Sequence, residues 1–164
     1  MITIRTMTKE DWEAVAAIYQ AGMDTNLATF QTECPSYTEW DAGHLSTCRL
    51  VADDDGSVAG WAALSAVSSR CVYSGVAEVS IYISGAYRGK GVGTVLLNAL
   101  SDASEAAGIW TLQSGIMADN TASIKLHEKC GYRMIGKREK IGCDRNGVWR
   151  DTVLVERRSK VVGH

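Results

Sequence analysis

The spacing of hydrophobic residues changes period several times along the chain. Ile2 and Ile4 alternate with polar neighbours, which predicts a strand over residues 2–6. Thr8 and Asp11 mark a helix start, and Trp12, Val15, Ala16 and Tyr19 then recur at helical spacing. Asn26 to Pro35 holds the single proline and follows neither period, so it reads as a loop. A short helix is expected from about Ser36 to Ser46. Arg49–Ala52 and Val58–Val67 are apolar runs separated by the Asp and Gly cluster of Asp53–Gly56, the pattern of a hairpin. Over Gly75 to Ser84 the alternation returns. Ala77, Val79, Ile81 and Ile83 share one face, while Glu78, Ser80 and Tyr82 share the other.

From Gly91 the period becomes helical again. Val92, Val95, Leu96, Ala99, Leu100 and Ala103 form an apolar stripe that ends near Gly108. Trp110–Gly115 reads as a buried strand, and Thr121–Cys130 as a helix closed by Gly131. Two strands, 132–141 and 148–156, flank a turn at Asp144–Gly147. The predicted order is β-α-α-β-β-β-α-β-α-β-β, an α/β mixture with antiparallel hairpins. At 164 residues one core suffices, so residues 1–157 are expected to form a single domain and 158–164 a flexible tail.

Charge and cysteine usage narrow the chemistry. With 17 Lys and Arg against 19 Asp and Glu, the net charge of −2 gives no long-range pull toward nucleic acid. No run of 18 apolar residues and no apolar leader core occur, so a cytoplasmic protein without membrane contact is expected. The five cysteines are odd in number and include no C-x-x-C pair, which predicts reduced thiols and no metal site.

The run Arg88, Gly89, Lys90, Gly91, Val92, Gly93 sits between a predicted strand and a predicted helix. Glycines let the backbone approach a ligand, and first-turn N–H groups have no intrahelical partner. Together with the helix dipole and two cations they form a phosphate cradle. A Walker A loop is excluded, because Gly85 lies one residue too close to Gly89 and Lys90 precedes Gly91 instead of Ser or Thr. The dinucleotide fingerprint also fails, because position 94 is Thr and the three glycines alternate.

The run does match R-x-x-G-x-G, and so resembles the diphosphate-binding signature of the GNAT acetyltransferase superfamily. Asn120, Ala122, Leu126, His127, Gly131 and Tyr132 resemble the second half of that family's coenzyme A site. Thr29–Glu33, Ala77–Ile83 and Gly147–Asp151 are similar to the phosphinothricin N-acetyltransferase branch, and Lys129–Lys160 to arsinothricin N-acetyltransferases.

The resemblance implies a single-domain GNAT fold: a mixed, mostly antiparallel sheet splayed between strands 4 and 5 and flanked by about four helices. It implies acetyl-CoA as cosubstrate, no metal, and a homodimer. Ile81, Tyr82 and Ile83 would pair with pantetheine; Arg88, Gly89, Lys90, Gly91, Val92, Gly93 and Thr94 would hold the diphosphate; Asn120 and Ser123 would complete the site. Glu78 would be the general base that deprotonates an ammonium, as a partly buried carboxylate with a raised pKa. A backbone N–H of the splayed strand would hold the oxyanion. His127 would be either the acid that protonates the leaving thiolate or a packing residue.

Substrate contacts would come from Phe30, Arg70, Tyr73 and Glu78, with Arg70 facing a carboxylate. Trp149 and Asp151 would support the pocket from the last hairpin. The implied activity is acetylation of a small amino-acid-like amine of the phosphinothricin, methionine sulfone, methionine sulfoximine or arsinothricin type, giving resistance by detoxification. Acetylation of protein amino termini and a non-catalytic coenzyme A-binding module stand as alternatives.

Overall fold

The computed structural model describes residues 1–164. Seven strands form one sheet: β1 (Ile2–Thr6), β2 (Leu50–Asp54), β3 (Ser57–Ala66), β4 (Val76–Ile83), β5 (Thr111–Met117), β6 (Arg133–Cys143) and β7 (Trp149–Arg158). Their spatial order is β1-β2-β3-β4-β5-β7-β6. Every pairing is antiparallel except β4 with β5. The helices are α1 (Trp12–Asp24), α2 (Tyr37–Gly43), α3 (Val92–Ala106) and α4 (Thr121–Lys129).

The alternation read along the strands decides which helix covers which face. Leu96, Leu97 and Leu100 of α3 pack with Ala62, Leu64, Ala77, Val79, Leu112, Val153 and Val155 in one core cluster. Val15, Tyr19 and Met23 of α1 and Trp40 of α2 pack with Val51, Trp61 and Ala63 on the opposite face. β3 is therefore buried on both sides, which is why its run reads as continuously apolar. Each fully buried Leu or Val in these layers contributes roughly 1.5–3 kcal/mol.

Local signals set the element ends. Asp11 closes a capping box with Thr8 and accepts two hydrogen bonds from the Arg5 guanidinium, at 2.8 and 2.9 Å, which docks the start of α1 on β1. The short helix is tighter than expected: Ser36 is its cap, its Oγ accepting from the Glu39 N–H at 3.2 Å, and the chain leaves helical geometry at His44. The last strand runs past the expected boundary to Arg158. In residues 158–164, expected as a flexible tail, Arg158 donates to the carbonyls of Val162 and Gly163, and Ser159 is buried against Glu105.

Candidate active site

β4 and β5 share three register pairs, Val76↔Thr111, Ala77↔Leu112 and Glu78↔Gln113, and then separate. Past that point β4 stays with β3 as far as Gly60↔Ile83, while β5 stays with β7 as far as Met117↔Thr152. A wedge opens between them, starting at Glu78. The Ser84 N–H donates to Ala59 O at 2.8 Å, and antiparallel parity then turns the backbone groups of Ser80 and Tyr82 toward β3. The Val79 N–H is taken by the Gln113 carbonyl in the last register pair, and the Val79 C=O with the N–H and C=O groups of Ile81 and Ile83 faces the wedge. This corrects the expectation for the Tyr82 backbone. The Tyr82 ring lies on the α1 side, stacked on Trp61 with centroids 5.2 Å apart and 4.8 Å from the Tyr19 ring.

The wedge continues into a cleft of about 650 Å³. At one end, Arg88, Gly89, Gly91, Val92, Gly93 and Thr94 line it. Gly89 and Gly91 have φ of 74° and 78°, left-handed values that a side chain disfavours, although a Cβ at either would meet nothing within 4 Å. The first intrahelical bond of α3 runs from Val95 N–H to Gly91 O, so the N–H groups of Val92, Gly93 and Thr94 are free to face a ligand. A Cβ on Gly93 would come within 3.1 Å of Leu126, so this glycine also permits α3 to approach α4. An open turn, unpaired amides and the Arg88 cation fit a diphosphate. Lys90 lies outside the lining, with its ammonium 5.7 Å from the Tyr87 ring centroid.

At the middle of the cleft are Glu78, Asn120, Ser123 and His127. Glu78 is exposed, not partly buried as expected, because it lies on the strand's outer face where the wedge opens. Asn120 caps α4: its Oδ1 accepts from the Ser123 N–H at 3.3 Å, and its Nδ2 donates to Leu27 O at 3.4 Å. His127 is 1% exposed, and its ring meets Tyr132 edge to face at 5.0 Å. Its Nδ1 donates to the Ser123 carbonyl at 2.7 Å, while Nε2 is buried without a partner. Burial pushes the His127 pKa down, and the bond to Ser123 only partly opposes this. The imidazole is thus neutral, with a lone pair at Nε2, which is the wrong form for a proton donor.

Some of the expected substrate residues lie elsewhere. Phe30 is half-buried against the β6–β7 hairpin, where a Cβ on Gly142 would meet its ring at 2.7 Å. Its neighbours Thr29 and Gln31 line the cleft in its place. Arg70 and Tyr73 sit on an exposed single turn before β4, outside the lining, with the guanidinium 5.6 Å from the Tyr73 ring. The α1 side adds Tyr19, which periodicity places on the helix's apolar stripe, and Gly22, together with Thr25, Leu27 and Ala28 of the following loop. Trp149 is exposed on the last hairpin, and Asp151 pairs with Lys137 at 3.1 Å. No group of three or more His, Cys, Asp or Glu side chains is placed to hold a metal ion, and no helix is long and apolar enough to cross a membrane.

This geometry has counterparts. Residues 12–132 match the profile described as the acetyltransferase (GNAT) family. YwnH of Bacillus subtilis is 38% identical over 136 residues, covering 80% of this chain and 83% of that protein. Phosphinothricin N-acetyltransferase of Alcaligenes faecalis is 34% identical over 162 residues, covering 94% and 81%. The crystal structure of a GNAT superfamily phosphinothricin acetyltransferase from Sinorhizobium meliloti in complex with acetyl-CoA superposes with a TM-score of 0.85 at 30% identity, over 96% of this chain and 88% of that one.

Proposed function

The chain belongs to the GNAT acetyltransferase family, and from that premise we propose that it transfers an acetyl group from acetyl-CoA to the α-amino group of a small amino-acid-like substrate. The substrate class is that of phosphinothricin, methionine sulfone, methionine sulfoximine and arsinothricin. The observation that carries this reading is the wedge: a strand edge left unpaired immediately after Glu78, running straight into the glycine turn that opens α3.

Acetyl-CoA supplies the activated acyl group as a thioester. The residues of the chain bind and orient the reactants around it. The wedge-facing C=O of Ile81 and the N–H and C=O of Ile83 offer main-chain pairing to an amide-bearing arm, as a neighbouring strand would. The amides of Val92, Gly93 and Thr94 and the Arg88 guanidinium take the diphosphate. Ser123 and the α4 cap Asn120 close the far wall.

The acceptor arrives as an ammonium, which has no lone pair until a proton leaves it. Glu78 is the carboxylate at the opening of the wedge and takes that proton. As an exposed group it does so directly or through a water and then exchanges the proton with solvent. The Ile81 N–H, the first unpaired donor of the splayed strand past Glu78, donates to the oxygen on which acyl transfer builds negative charge. His127 holds the Ser123 carbonyl and stays neutral, so coenzyme A leaves as the thiolate, with no dedicated acid, and takes its proton from solvent. Arg70, on the exposed turn before β4 and outside the cleft lining, is assigned to the acceptor's carboxylate from the rim, its guanidinium resting over the Tyr73 ring. Phe30 and Tyr73 are assigned to the rim of the acceptor side.

Acetylation removes the cation of an amino-acid mimic, which is the chemical basis for detoxification and resistance. A cytoplasmic homodimer is part of this reading. The test is thiol release from acetyl-CoA with phosphinothricin, methionine sulfone and arsinothricin offered separately, with the N-acetyl product identified by mass. Release with at least one of them is expected; release with none would overturn the substrate class.

A further inference from the structure

Arg150 joins segments that are far apart in sequence. Its side chain, on β7, is only 12% exposed. Nη1 donates to the carbonyl of Asn26 at 2.8 Å and to Asp144 at 3.2 Å, while Nη2 donates to both carboxylate oxygens of Asp119 at 2.8 and 3.0 Å. Asp144 is 3% exposed and is held in turn by the Asn26 amide at 3.1 Å and by the N–H groups of Asn146 and Val148. Arg145, on the same hairpin turn, donates to Met23 O at 2.7 Å and so caps the end of α1.

The two outer arms of this network end beside the two walls of the cleft. Asn26, with a left-handed φ of 55°, lies in the loop whose residues Thr25, Leu27, Ala28, Thr29 and Gln31 form one wall. Asp119 immediately precedes Asn120, the cap of the helix that forms the other wall. None of Asn26, Asp119, Asp144 or Arg150 lines the cleft itself. A second, longer tie, Asn120 Nδ2 to Leu27 O at 3.4 Å, spans the same two walls. A planar guanidinium can serve three oxygen partners in fixed directions, which an ammonium on a flexible stem cannot do.

We propose that Arg150 is a positioning residue that sets the separation between the loop at 25–31 and the amino terminus of α4, and thereby the placement of the acceptor amine against the acyl group. This rests on the acetyl-transfer reading above. Misplacement of reacting groups by about 1 Å can cost roughly 100-fold in rate. The diphosphate turn, at the other end of the cleft, makes no contact with the network.

The test uses Asp119→Ala and Arg150→Lys in the full-length protein. Asp119 is 66% exposed, so removing it cuts the α4 arm and leaves the buried pair of Arg150 with Asp144 intact. Arg150→Lys keeps a cation opposite Asp144 but loses the fork. For both, kcat/KM for the acceptor is expected to fall about tenfold, chiefly in kcat, while the acetyl-CoA dissociation constant stays within about twofold of wild type. Amide hydrogen exchange is expected to quicken at 25–31 and 121–124 in both variants. Folded variants with unchanged acceptor kinetics, or with acetyl-CoA affinity lost in parallel, would overturn the inference. Should the wild type acetylate no amine, the functional reading fails separately. Exchange then decides the clamp alone: faster on both walls supports it, unchanged rates refute it.

Discussion

Glu78 and Gln113 form the last register pair between β4 and β5. The carboxylate therefore sits where backbone pairing stops and the wedge begins. A residue one step earlier would face the core with Ala77, and one step later would be buried with Val79. Position and chemistry coincide here. Glu78→Gln keeps the size and polarity of the side chain but cannot accept a proton from an ammonium. The variant is expected to lose about 10²- to 10⁴-fold in kcat, with acetyl-CoA binding retained by calorimetry. Retention of full turnover would remove Glu78 from the mechanism.

Gly91 and Gly56 provide a matched pair. Both have left-handed φ, 78° and 97°, and a Cβ at either would enter open space. Alanine at either position is expected to cost about 1–2 kcal/mol through the backbone alone. Gly56 belongs to the hairpin turn between β2 and β3, remote from the cleft, whereas Gly91 aims the first-turn amides of α3. Only Gly91→Ala is expected to weaken acetyl-CoA binding, measured at matched thermal stability. Equal weakening by Gly56→Ala would show that the turn acts through stability and not through aim.

These cases divide by sequence distance. The glycine turn and the Glu78 strand were legible because a turn, a helix start and an alternating strand are local patterns, each written within ten residues. The acceptor half was not. Tyr19 and Gly22 lie on the buried stripe of α1, and only the approach of Tyr82 from β4 turns that stripe into a cleft wall. In the loop after α1 the aromatic residue is the one that composition marks, yet Phe30 packs on Gly142 while Thr29 and Gln31 turn inward. The bond from Arg150 to Asn26 spans 124 residues, and no local period records it.

Gly22 therefore tests the acceptor wall directly. A Cβ there would stand 2.6 and 2.8 Å from two ring carbons of Tyr82, whose ring is stacked on Trp61 and cannot retreat freely. Gly22→Ala is expected to destabilise the fold by about 1–3 kcal/mol and to raise the acceptor KM, with the acetyl-CoA dissociation constant unchanged. An unchanged acceptor KM would mean that Tyr82 does not shape the acceptor side.

His127 and His44 predict the pH dependence of stability. Burial pushes both imidazoles below the ordinary value of 6.5, although each is bonded to a carbonyl oxygen, Ser123 and Trp40 respectively. The unfolded chain then binds more protons than the native state as pH falls through 6.5, so unfolding free energy declines from about pH 7 downward and levels off below the folded-state pKa values. The aspartates act in a separate window. The Val148 N–H, with Asn26, Asn146 and Arg150, holds Asp144 down to about 2, and the Arg5 guanidinium lowers Asp11 and Asp53. Their contribution is complete above 3.8 and is lost on further acidification. Urea unfolding at pH 7.5 and 5.5 is expected to show a smaller difference for His127→Gln than for wild type, since one of the two depressed imidazoles is gone. The same neutrality predicts that ¹⁵N shifts of His127 report a protonated Nδ1 and an unprotonated Nε2 at pH 7. An imidazolium signal at that pH would restore His127 as a proton donor, because only the charged ring carries a hydrogen on the nitrogen that lacks a partner within the protein.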